Sequence, residues 1–304
     1  MSKKAKQPNT FDLEELKQLV EINPNLLATN SITAAEKFCK KIALSHYENF
    51  PVGSILIPKQ IRKHFYSIYT FSRIADDIAD EDYSLNADER LKLLNTFLEN
   101  TISTAKNNFS TTNPIFIALR HTINEMGMPF APFEKLIKAF KIDVLFVRPN
   151  SIDDLTQYCK FSANPIGELI LRLFGEYNTH TAELSDAITS ALQLINFWQD
   201  LSIDLNKGRN YIPKDLVEEL STKSSSDFNL TLHLLLIYSE KLLNFGKDLP
   251  KLIKNRKLKF ELKVIINAGF KILEKEQKLQ AKLFEYRPKL RKLDYLFILL
   301  KSLY

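Results

Sequence analysis

The sequence predicts an all-α protein with a single domain, and three observations support this prediction. Glycine is scarce, at seven residues in 304, whereas globular proteins usually contain roughly 7% glycine. From Ala34 onward, apolar residues recur at i, i+3 and i+4, as they do on the buried face of a helix. No alternating segment is long enough to predict a β-strand. We therefore expect about ten helices packed around one core.

The chain begins with a polar segment at residues 1–32, which contains one weak helical stretch from Phe11 to Val20. We interpret this segment as a polar N-terminal extension and residues 33–304 as the all-helical domain. Its first residues are basic, but no apolar region follows them, so it does not resemble a secretory signal. No apolar run approaches the roughly 18 residues of a membrane-spanning helix, and we expect a cytoplasmic protein.

Proline and glycine predict where the helices of the domain end. The segment from Asn49 to Gly53 should close one helix, and Pro58 should open the next. Gly127-Met128-Pro129 and Arg148-Pro149-Asn150 divide the middle of the chain. Proline also predicts a break at residues 162–165, because it removes a backbone donor and restricts the residue before it.

Glycine and cysteine usage excludes several kinds of site. No two glycines are close enough in sequence to form G-x-G-x-x-G or a P-loop, so neither a nicotinamide cofactor nor ATP is expected. Cys39 and Cys159 are too few for a disulfide framework or a cysteine-rich zinc site.

The net charge of +6 is unevenly distributed. Residues 251–304 contain fifteen Lys or Arg and five Asp or Glu, a net charge of +10. A basic region of this kind favours an anionic membrane surface or nucleic acid, although solvated helix faces would explain it without a partner. We expect no nucleic-acid partner, and peripheral contact with the inner face of the membrane is compatible with this charge.

An acidic cluster lies at residues 71–81. Asp76 and Asp80 are four residues apart and share one helix face, with Asp77 one position round and Arg73 one turn earlier. Like charges at this spacing destabilise an isolated helix, and carboxylates near a helix C-terminus oppose its dipole. The cluster therefore indicates function, with a solvated acidic patch as the alternative.

A polar stripe interrupts a long apolar helix that we predict from near Thr181 to the break at Gly208 and Pro213. The stripe consists of Gln193, Asn196, Asp200 and Asp204, which step by three, four and four residues. The segment from Ala187 to Leu205 is apolar on most faces and should be largely buried. Buried polar groups need partners or ions, so the stripe indicates a binding site, with a hydrogen-bond ladder between helices as the alternative.

Two carboxylate stripes with oxygen donors suit Mg²⁺, which binds through a few carboxylates, keeps waters and grips substrate phosphates. We expect Arg73, Lys207 and Arg209 to neutralise the remaining phosphate charge. Aromatic walls would then hold a hydrocarbon chain and stabilise a carbocation through their ring quadrupoles. Candidates for these walls, each also explained by core packing, are Phe65, Tyr69, Phe161, Phe197 and Trp198.

These segments resemble the squalene/phytoene synthases, the trans-isoprenoid synthases that join two chains head to head. Arg73-x-x-Asp76-Asp77-x-x-Asp80 is similar to the first aspartate motif of the family, and Asp200-x-x-x-Asp204 to the second. Residues 158–167 resemble the central segment of the family, which runs from a tyrosine to a glycine. Residues 207–213 resemble its basic loop, and the likeness extends from about Ala34 onward.

The resemblance implies an isoprenoid synthase helical bundle with a central active-site cavity and roles for particular residues. The implied ligands of Mg²⁺ are Asp76, Asp80, Asn196, Asp200 and Asp204. The implied catalytic residues are Asp76, Asp80, Asp200, Asp204 and Tyr158. The implied substrate-binding residues are His46, Phe50, Arg73, Asp77, Gly167, Gln193, Asn196, Lys207, Arg209 and Tyr211.

Three segments are similar to the bacterial hydroxysqualene synthases of hopanoid pathways, namely residues 46–54, 196–200 and 287–294. The implied reaction is a Mg²⁺-dependent carbon–oxygen lyase reaction that converts presqualene diphosphate and water to hydroxysqualene and diphosphate. It needs no reductant, and it implies functional coupling to a presqualene diphosphate synthase.

Gln199 stands where most members of the family have an arginine, directly before the first aspartate of the second motif. Loss of this cation should weaken binding of a second diphosphate, which suits an enzyme for the second half-reaction alone. One alternative is coupling of two prenyl diphosphates to presqualene diphosphate or phytoene, which an arginine at 199 would have favoured. Another alternative is a non-catalytic assembly or scaffold protein. Loss of the motif aspartates would mark a protein of that class, whereas all of them are present in this sequence.

Overall fold

The structure is a computed structural model that describes residues 11–25, 27–45, 57–79, 85–106, 110–217 and 225–303. Within these ranges the chain is helical and contains no β-strand, which confirms the all-α prediction. The described residues include fourteen α-helices and one 3₁₀ helix, more than the ten or so expected; one helix predicted as continuous is divided in two at Asp200. The chain forms two compact units, Met1–Leu145 and Phe146–Tyr304.

The structure describes six helices in the first unit. They are α1 (Leu13–Gln18), α2 (Ile32–Ser45), α3 (Lys59–Ala79), α4 (Ala87–Ala105), α5 (Pro114–Met126) and α6 (Ala131–Val144). Helix α3 starts directly after Pro58. Gly127 ends α5 with a φ of 59°, a left-handed conformation that glycine adopts without strain. The predicted break at Asn49–Gly53 lies outside the described residues.

Four phenylalanines form the centre of the first unit. Phe71 of α3 stacks on Phe97 of α4, with ring centroids 5.1 Å apart, and meets Phe133 of α6 edge to face at 5.4 Å. Phe97 also contacts Phe116 of α5 at 5.6 Å. Truncating one of these buried rings to alanine should cost about 3–5 kcal/mol. This core fixes the last turns of α3, which carry the first acidic cluster.

The described part of the predicted N-terminal extension belongs to the first unit and packs into it. Leu16 and Leu19 have no exposed surface. The side-chain amide of Asn113 donates hydrogen bonds of 2.8 Å to the backbone carbonyls of Leu19 and Glu21. A buried asparagine ahead of α5 therefore holds this segment in place.

The second unit is built around α9. Its described helices are α7 (Ile152–Ser162), α8 (Asn164–Leu173), α9 (Thr179–Gln199), α10 (Leu201–Asn206), α11 (Ser225–Gly246), α12 (Leu249–Leu252), α13 (Arg256–Leu279), a 3₁₀ helix (Gln280–Phe284) and α14 (Lys292–Leu303). Helix α9 packs against α7, α8, α11, α12 and α13. The indole N–H of Trp198 donates a 3.0 Å hydrogen bond to Ser239 of α11. None of the helices in the described part of the chain is long and apolar enough to span a membrane.

Two interruptions shape the helices around α9. The predicted break at residues 162–165 is present, since α7 ends at Ser162 and α8 begins at Asn164. The amide oxygen of Asn164 then accepts hydrogen bonds from Thr189 and Ser190 of α9. The long helix predicted from Thr181 is two helices, because it breaks at Asp200, a residue whose ψ of 7° departs from helical geometry. The sequence pattern does not show this second break.

Candidate active site

The first acidic cluster ends α3 and contains one exposed and one buried aspartate. The side chain of Asp76 is 56% exposed, whereas that of Asp77 is 4% exposed. Arg73 donates to both, at 3.4 Å to Asp76 and 2.5 Å to Asp77. Burial alone would lower the pKa of Arg73, but the charges of Asp77 and Asp76 raise it overall. Asp77 therefore anchors the arginine, while Asp76 is accessible to a ligand.

Three residues predicted for the site lie outside the described residues, namely His46, Phe50 and Asp80. Their roles stay predictions. Within the described residues, the first motif consists of Arg73, Asp76 and Asp77.

The second motif lies where α9 meets α10. Asp200 separates the two helices, and its carbonyl accepts hydrogen bonds from the amides of Ile203 and Asp204. Burial, together with the charge of Asp200, raises the pKa of Asp204 to about 6, although nearby cations oppose this shift. Two carboxylates that interact in this way form a site at which a cation is stabilised.

A basic loop follows α10 and lies next to Asp204. Gly208 has a φ of 75°, which lets the chain reverse without strain. The amides of Lys207 and Arg209 then donate to the carbonyl of Asp204 at 3.0 and 2.8 Å. Lys207 is exposed and Arg209 is half-buried, and both charges lower the pKa of Asp204. The loop thus provides two cations beside Asp204.

A third cation at the second motif, Arg287, was absent from the predicted site residues. Its guanidinium donates two hydrogen bonds to the carboxylate of Asp200, the longer at 3.2 Å. Next to this pair, the side-chain amide of Gln199 donates a 2.8 Å hydrogen bond to the carbonyl of Pro288. Gln199 therefore holds Pro288, and its neighbour Asp200 holds Arg287. The sequence signal was the resemblance of residues 287–294 to the bacterial subfamily, which did not reveal a partner for Arg287.

Glu276 of α13 is a second residue that the sequence prediction missed. Its side chain has no exposed surface, and its carboxyl oxygens have no hydrogen-bond partner within the described part of the chain. Burial, together with the charge of Asp200, raises the pKa of Glu276 well above its ordinary value. The sequence at residues 274–278, Glu-Lys-Glu-Gln-Lys, is entirely polar and mostly charged, a pattern that indicates a solvated helix face.

An aromatic group packs beside the second motif, around Phe197. The ring of Tyr211 stacks on Phe197 with centroids 3.8 Å apart and an interplanar angle of 15°. Tyr158 of α7 lies 5.9 Å from the same ring and is half-buried. Phe146 meets Tyr211 edge to face at 5.2 Å. Tyr158 and Tyr211 thus both pack against Phe197 of α9, the helix that carries most of the polar stripe.

The other predicted wall residues have different surroundings. Trp198 is 1% exposed and bonded to Ser239, so it belongs to the core of the second unit. In the first unit, Phe65 and Tyr69 are partly buried against the cluster of small residues that includes Ala35 and Cys39. Phe161 is half-buried in α7.

The polar stripe of α9 is not buried, contrary to expectation. Asn196 is exposed, and Gln193, Asp200 and Asp204 are half-buried. The reason is that the core contacts of α9 use its other faces, through residues such as Leu194 and Trp198. An accessible stripe is compatible with ligand binding.

Gly167 lies at a close contact between α8 and α9. A Cβ atom on this residue would come within 2.4 Å of the Ser185 hydroxyl and 3.0 Å of the Thr189 methyl group. This position therefore gives Gly167 a packing role, and its predicted contact with substrate stays a prediction.

The ligand atoms that these residues offer can be compared with those that Mg²⁺ prefers. No group of three or more His, Cys, Asp or Glu side chains within the described ranges could hold a metal ion. The Asp200–Asp204 pair offers carboxylate oxygens only. Such a pair fits Mg²⁺ in its usual protein setting, where one or two carboxylates are supplemented by water and substrate phosphates.

Comparison with known proteins identifies relatives of this chain. The family model for squalene/phytoene synthase matches residues 44–294. A hydroxysqualene synthase of Sinorhizobium fredii is 34% identical over 240 residues, which cover 76% of this chain and 80% of that protein. A hydroxysqualene synthase of Rhodopseudomonas palustris is 34% identical over 227 residues, covering 72% of this chain and 75% of its own.

A solved structure shows the same fold. The crystal structure of the squalene synthase HpnC from Alicyclobacillus acidocaldarius is 30% identical and matches with a TM-score of 0.74. The match covers 83% of this chain and 95% of that chain. This agreement confirms the predicted all-α isoprenoid synthase fold.

Proposed function

Because the chain belongs to the squalene/phytoene synthase family, we propose that it acts as a hydroxysqualene synthase. The proposed reaction converts presqualene diphosphate and water to hydroxysqualene and diphosphate. One observation carries the proposal: the Asp200–Asp204 pair, whose charges interact, lies among the cations of Lys207, Arg209 and Arg287. This is a suitable place for a diphosphate bound through a metal ion. The relatives named hydroxysqualene synthase support this particular reaction.

The proposed ligands of Mg²⁺ are Asp76, Asp80, Asn196, Asp200 and Asp204. When bound, the metal supplies positive charge that stabilises diphosphate as a leaving group. Lys207 and Arg209 are proposed to bind the phosphate oxygens that remain, because both lie beside Asp204 on the loop after α10.

Arg287 is proposed to contribute a further contact with diphosphate. Its guanidinium binds Asp200 through two N–H groups, and the same planar fork binds phosphate oxygens. Diphosphate therefore competes with Asp200 for this fork. In the absence of substrate, the Asp200 contact keeps the guanidinium at the site.

The aromatic group around Phe197 is proposed to shelter the hydrocarbon and the carbocation that forms on ionisation. Stacked Phe197 and Tyr211 present ring faces of negative potential. Tyr158 adds a phenol that orients the attacking water. We infer that these rings limit the access of other waters, which would end the reaction early.

A second candidate function is coupling of two prenyl diphosphates. Gln199 was expected to argue against it, because an arginine is usual at that position. However, Gln199 faces Pro288, and Arg287 provides a guanidinium at Asp200. Positive charge is therefore retained beside the second motif, and this feature favours keeping the coupling reaction as an alternative.

One experiment distinguishes the candidates. The purified chain is incubated with MgCl₂ and either presqualene diphosphate or farnesyl diphosphate, and the products are identified by mass spectrometry. Hydroxysqualene formed from presqualene diphosphate alone is the expected result. Presqualene diphosphate formed from farnesyl diphosphate would instead support the coupling enzyme. No turnover of either substrate by folded protein would contradict both and leave the scaffold alternative.

A further inference from the structure

Helix α14 is attached to the second unit by its polar side. It packs against α13, and its buried residues are Asp294, Ile298 and Ser302, one turn apart. Asn267 of α13 donates a 3.0 Å hydrogen bond to Ser302, and Lys275 forms a 2.8 Å ion pair with Asp294. Two of the three inward positions are therefore occupied by polar side chains with polar partners.

The outward side of α14 is apolar. Its large apolar side chains are 46–68% exposed, among them Leu293, Leu296, Phe297, Leu299, Leu300 and Leu303. At 100° per residue these six cover an arc of about 160° of the helix. The exposed residues thus form one continuous face.

The orientation of α14 is the opposite of that of a usual amphipathic surface helix. A surface helix of a water-soluble protein turns its apolar stripe inward and its polar face to solvent. Here the polar stripe faces the protein and the apolar face is exposed. Contiguous exposed apolar surface of this kind marks an interaction site.

The charges around α14 identify its partner. Lys289, Arg291 and Lys292 lie at its N-terminal end and Lys301 lies in its last turn. Residues 251–304 as a whole carry a net charge of +10. A second copy of the chain would bring these like charges together, whereas anionic lipid headgroups would neutralise them.

We propose that α14 is a membrane-docking helix, which lies in the headgroup region of an anionic bilayer with its apolar face toward the acyl chains. Its 12 residues span about 18 Å, well short of the roughly 30 Å of a hydrocarbon core. The helix therefore lies parallel to the surface and does not cross it. The inference is independent of the reaction, since it concerns lipid binding without substrate.

Vesicle flotation with the full chain tests this inference. Vesicles of phosphatidylcholine alone are compared with vesicles that also contain phosphatidylglycerol, in low and high salt. We expect at least about tenfold stronger binding to the anionic vesicles, and weaker binding in high salt because ions screen the attraction.

Matched pairs of variants locate the binding surface. Leu296→Ser with Leu300→Ser should reduce anionic vesicle binding at least about tenfold. The control is Leu230→Ser with Leu234→Ser, two exposed leucines at the same spacing on α11, which should bind like the wild type. Lys292→Glu with Lys301→Glu should reduce binding, whereas the equally exposed Lys241→Glu with Lys247→Glu should not. Thermal melts confirm that each variant is folded.

Three results would overturn the proposal. The first is failure of the folded wild type to bind anionic vesicles at low salt. The second is equal loss of binding in the α11 and α14 variants. The third is a dimer in sedimentation velocity that Leu296→Ser with Leu300→Ser dissociates while vesicle binding is unchanged, which would make a second copy the partner.

Discussion

The side-chain amide of Gln199 donates a 2.8 Å hydrogen bond to the backbone carbonyl of Pro288. These residues are separated by 89 positions in the sequence, and the contact lies next to the pair formed by Asp200 and Arg287. Gln199 thus holds the backbone directly after Arg287. The side chain of Gln199 therefore contacts the segment that follows the 3₁₀ helix.

Substitution of Gln199 separates its structural role from phosphate binding. Gln199→Glu removes the donor and places a carboxylate against a carbonyl, so we expect a loss of about 1–3 kcal/mol in the free energy of unfolding. Gln199→Arg retains N–H donors and should lose less. Urea denaturation measures both losses.

The Gln199→Arg variant also tests whether the side chain at position 199 contacts bound phosphate. An added guanidinium should lower the inhibition constant of inorganic diphosphate. Equal constants for the wild type and Gln199→Arg would show that the side chain serves only the Pro288 contact.

Removal of Arg287 should affect metal binding and turnover in opposite directions. Arg287→Ala removes a positive charge from Asp200, so Mg²⁺ should bind several-fold more tightly. Turnover should fall, because the proposed phosphate contact is lost. The fluorescence of Trp198, the single tryptophan of the sequence, reports metal binding two residues away from Asp200. Unchanged affinity for Mg²⁺ in this variant would contradict competition between the arginine and the metal.

Asp76 and Asp77 offer a matched comparison within one motif. Asp76→Ala should reduce turnover by orders of magnitude with little loss of stability, because its side chain is 56% exposed. Asp77→Ala should cost about 3 kcal/mol of stability, because it leaves the half-buried Arg73 without its main partner. Thermal denaturation and initial rates measure the two effects, and equal stability of both variants would refute the anchoring role of Asp77.

Alanine at Asp80, Asp200 or Asp204 should likewise reduce turnover by orders of magnitude with little loss of folding. These carboxylates are proposed to bind metal. A variant of normal thermal stability with near-native turnover would remove that aspartate from the mechanism.

The pKa of Asp204 predicts a pH dependence of stability in metal-free protein. Its folded value, about 6, lies above the ordinary 3.8, so the folded state binds the proton more tightly than the unfolded state. Stability should therefore fall as pH rises from about 4 to 6. Asp204→Asn should remove this decline and gain about 1 kcal/mol at pH 7 after allowance for solvent screening. Chemical denaturation at several pH values measures it, and an unchanged pH profile in Asp204→Asn would contradict the assignment.

Glu276 should behave as a buried acid whose protonated form is favoured by folding. Its pKa in the folded protein is raised, so its contribution to stability decreases as pH rises toward that value. Glu276→Gln keeps the shape without the titration, and it should be at least as stable as the wild type at pH 8 and nearly unchanged at pH 4. Destabilisation by Glu276→Gln at pH 8 would show that the ionised carboxylate has a partner that stabilises it.

Much of the fold follows from local sequence. Proline and glycine act on the backbone at their own positions, so the starts of α3 and α8 and the end of α5 were predicted correctly. The spacing of Asp200 and Asp204, combined with the helical repeat, placed both carboxylates near each other. The family resemblance drew on these same local motifs.

The helical class, several helix ends and the two acidic motifs follow from local sequence, because each depends on residues within a few turns of one another. Tertiary packing sets which distant groups reach those motifs. Arg287 meets Asp200 across 87 positions, and the pKa of Glu276 is raised because the packing of α13 removes its side chain from water. Helix α14 is a further example. Its sequence gives it a polar side and an apolar side, but only its contacts with α13 show that the polar side faces the protein and the apolar side is exposed. Burial and long-range electrostatics depend on packing, which a local pattern does not contain.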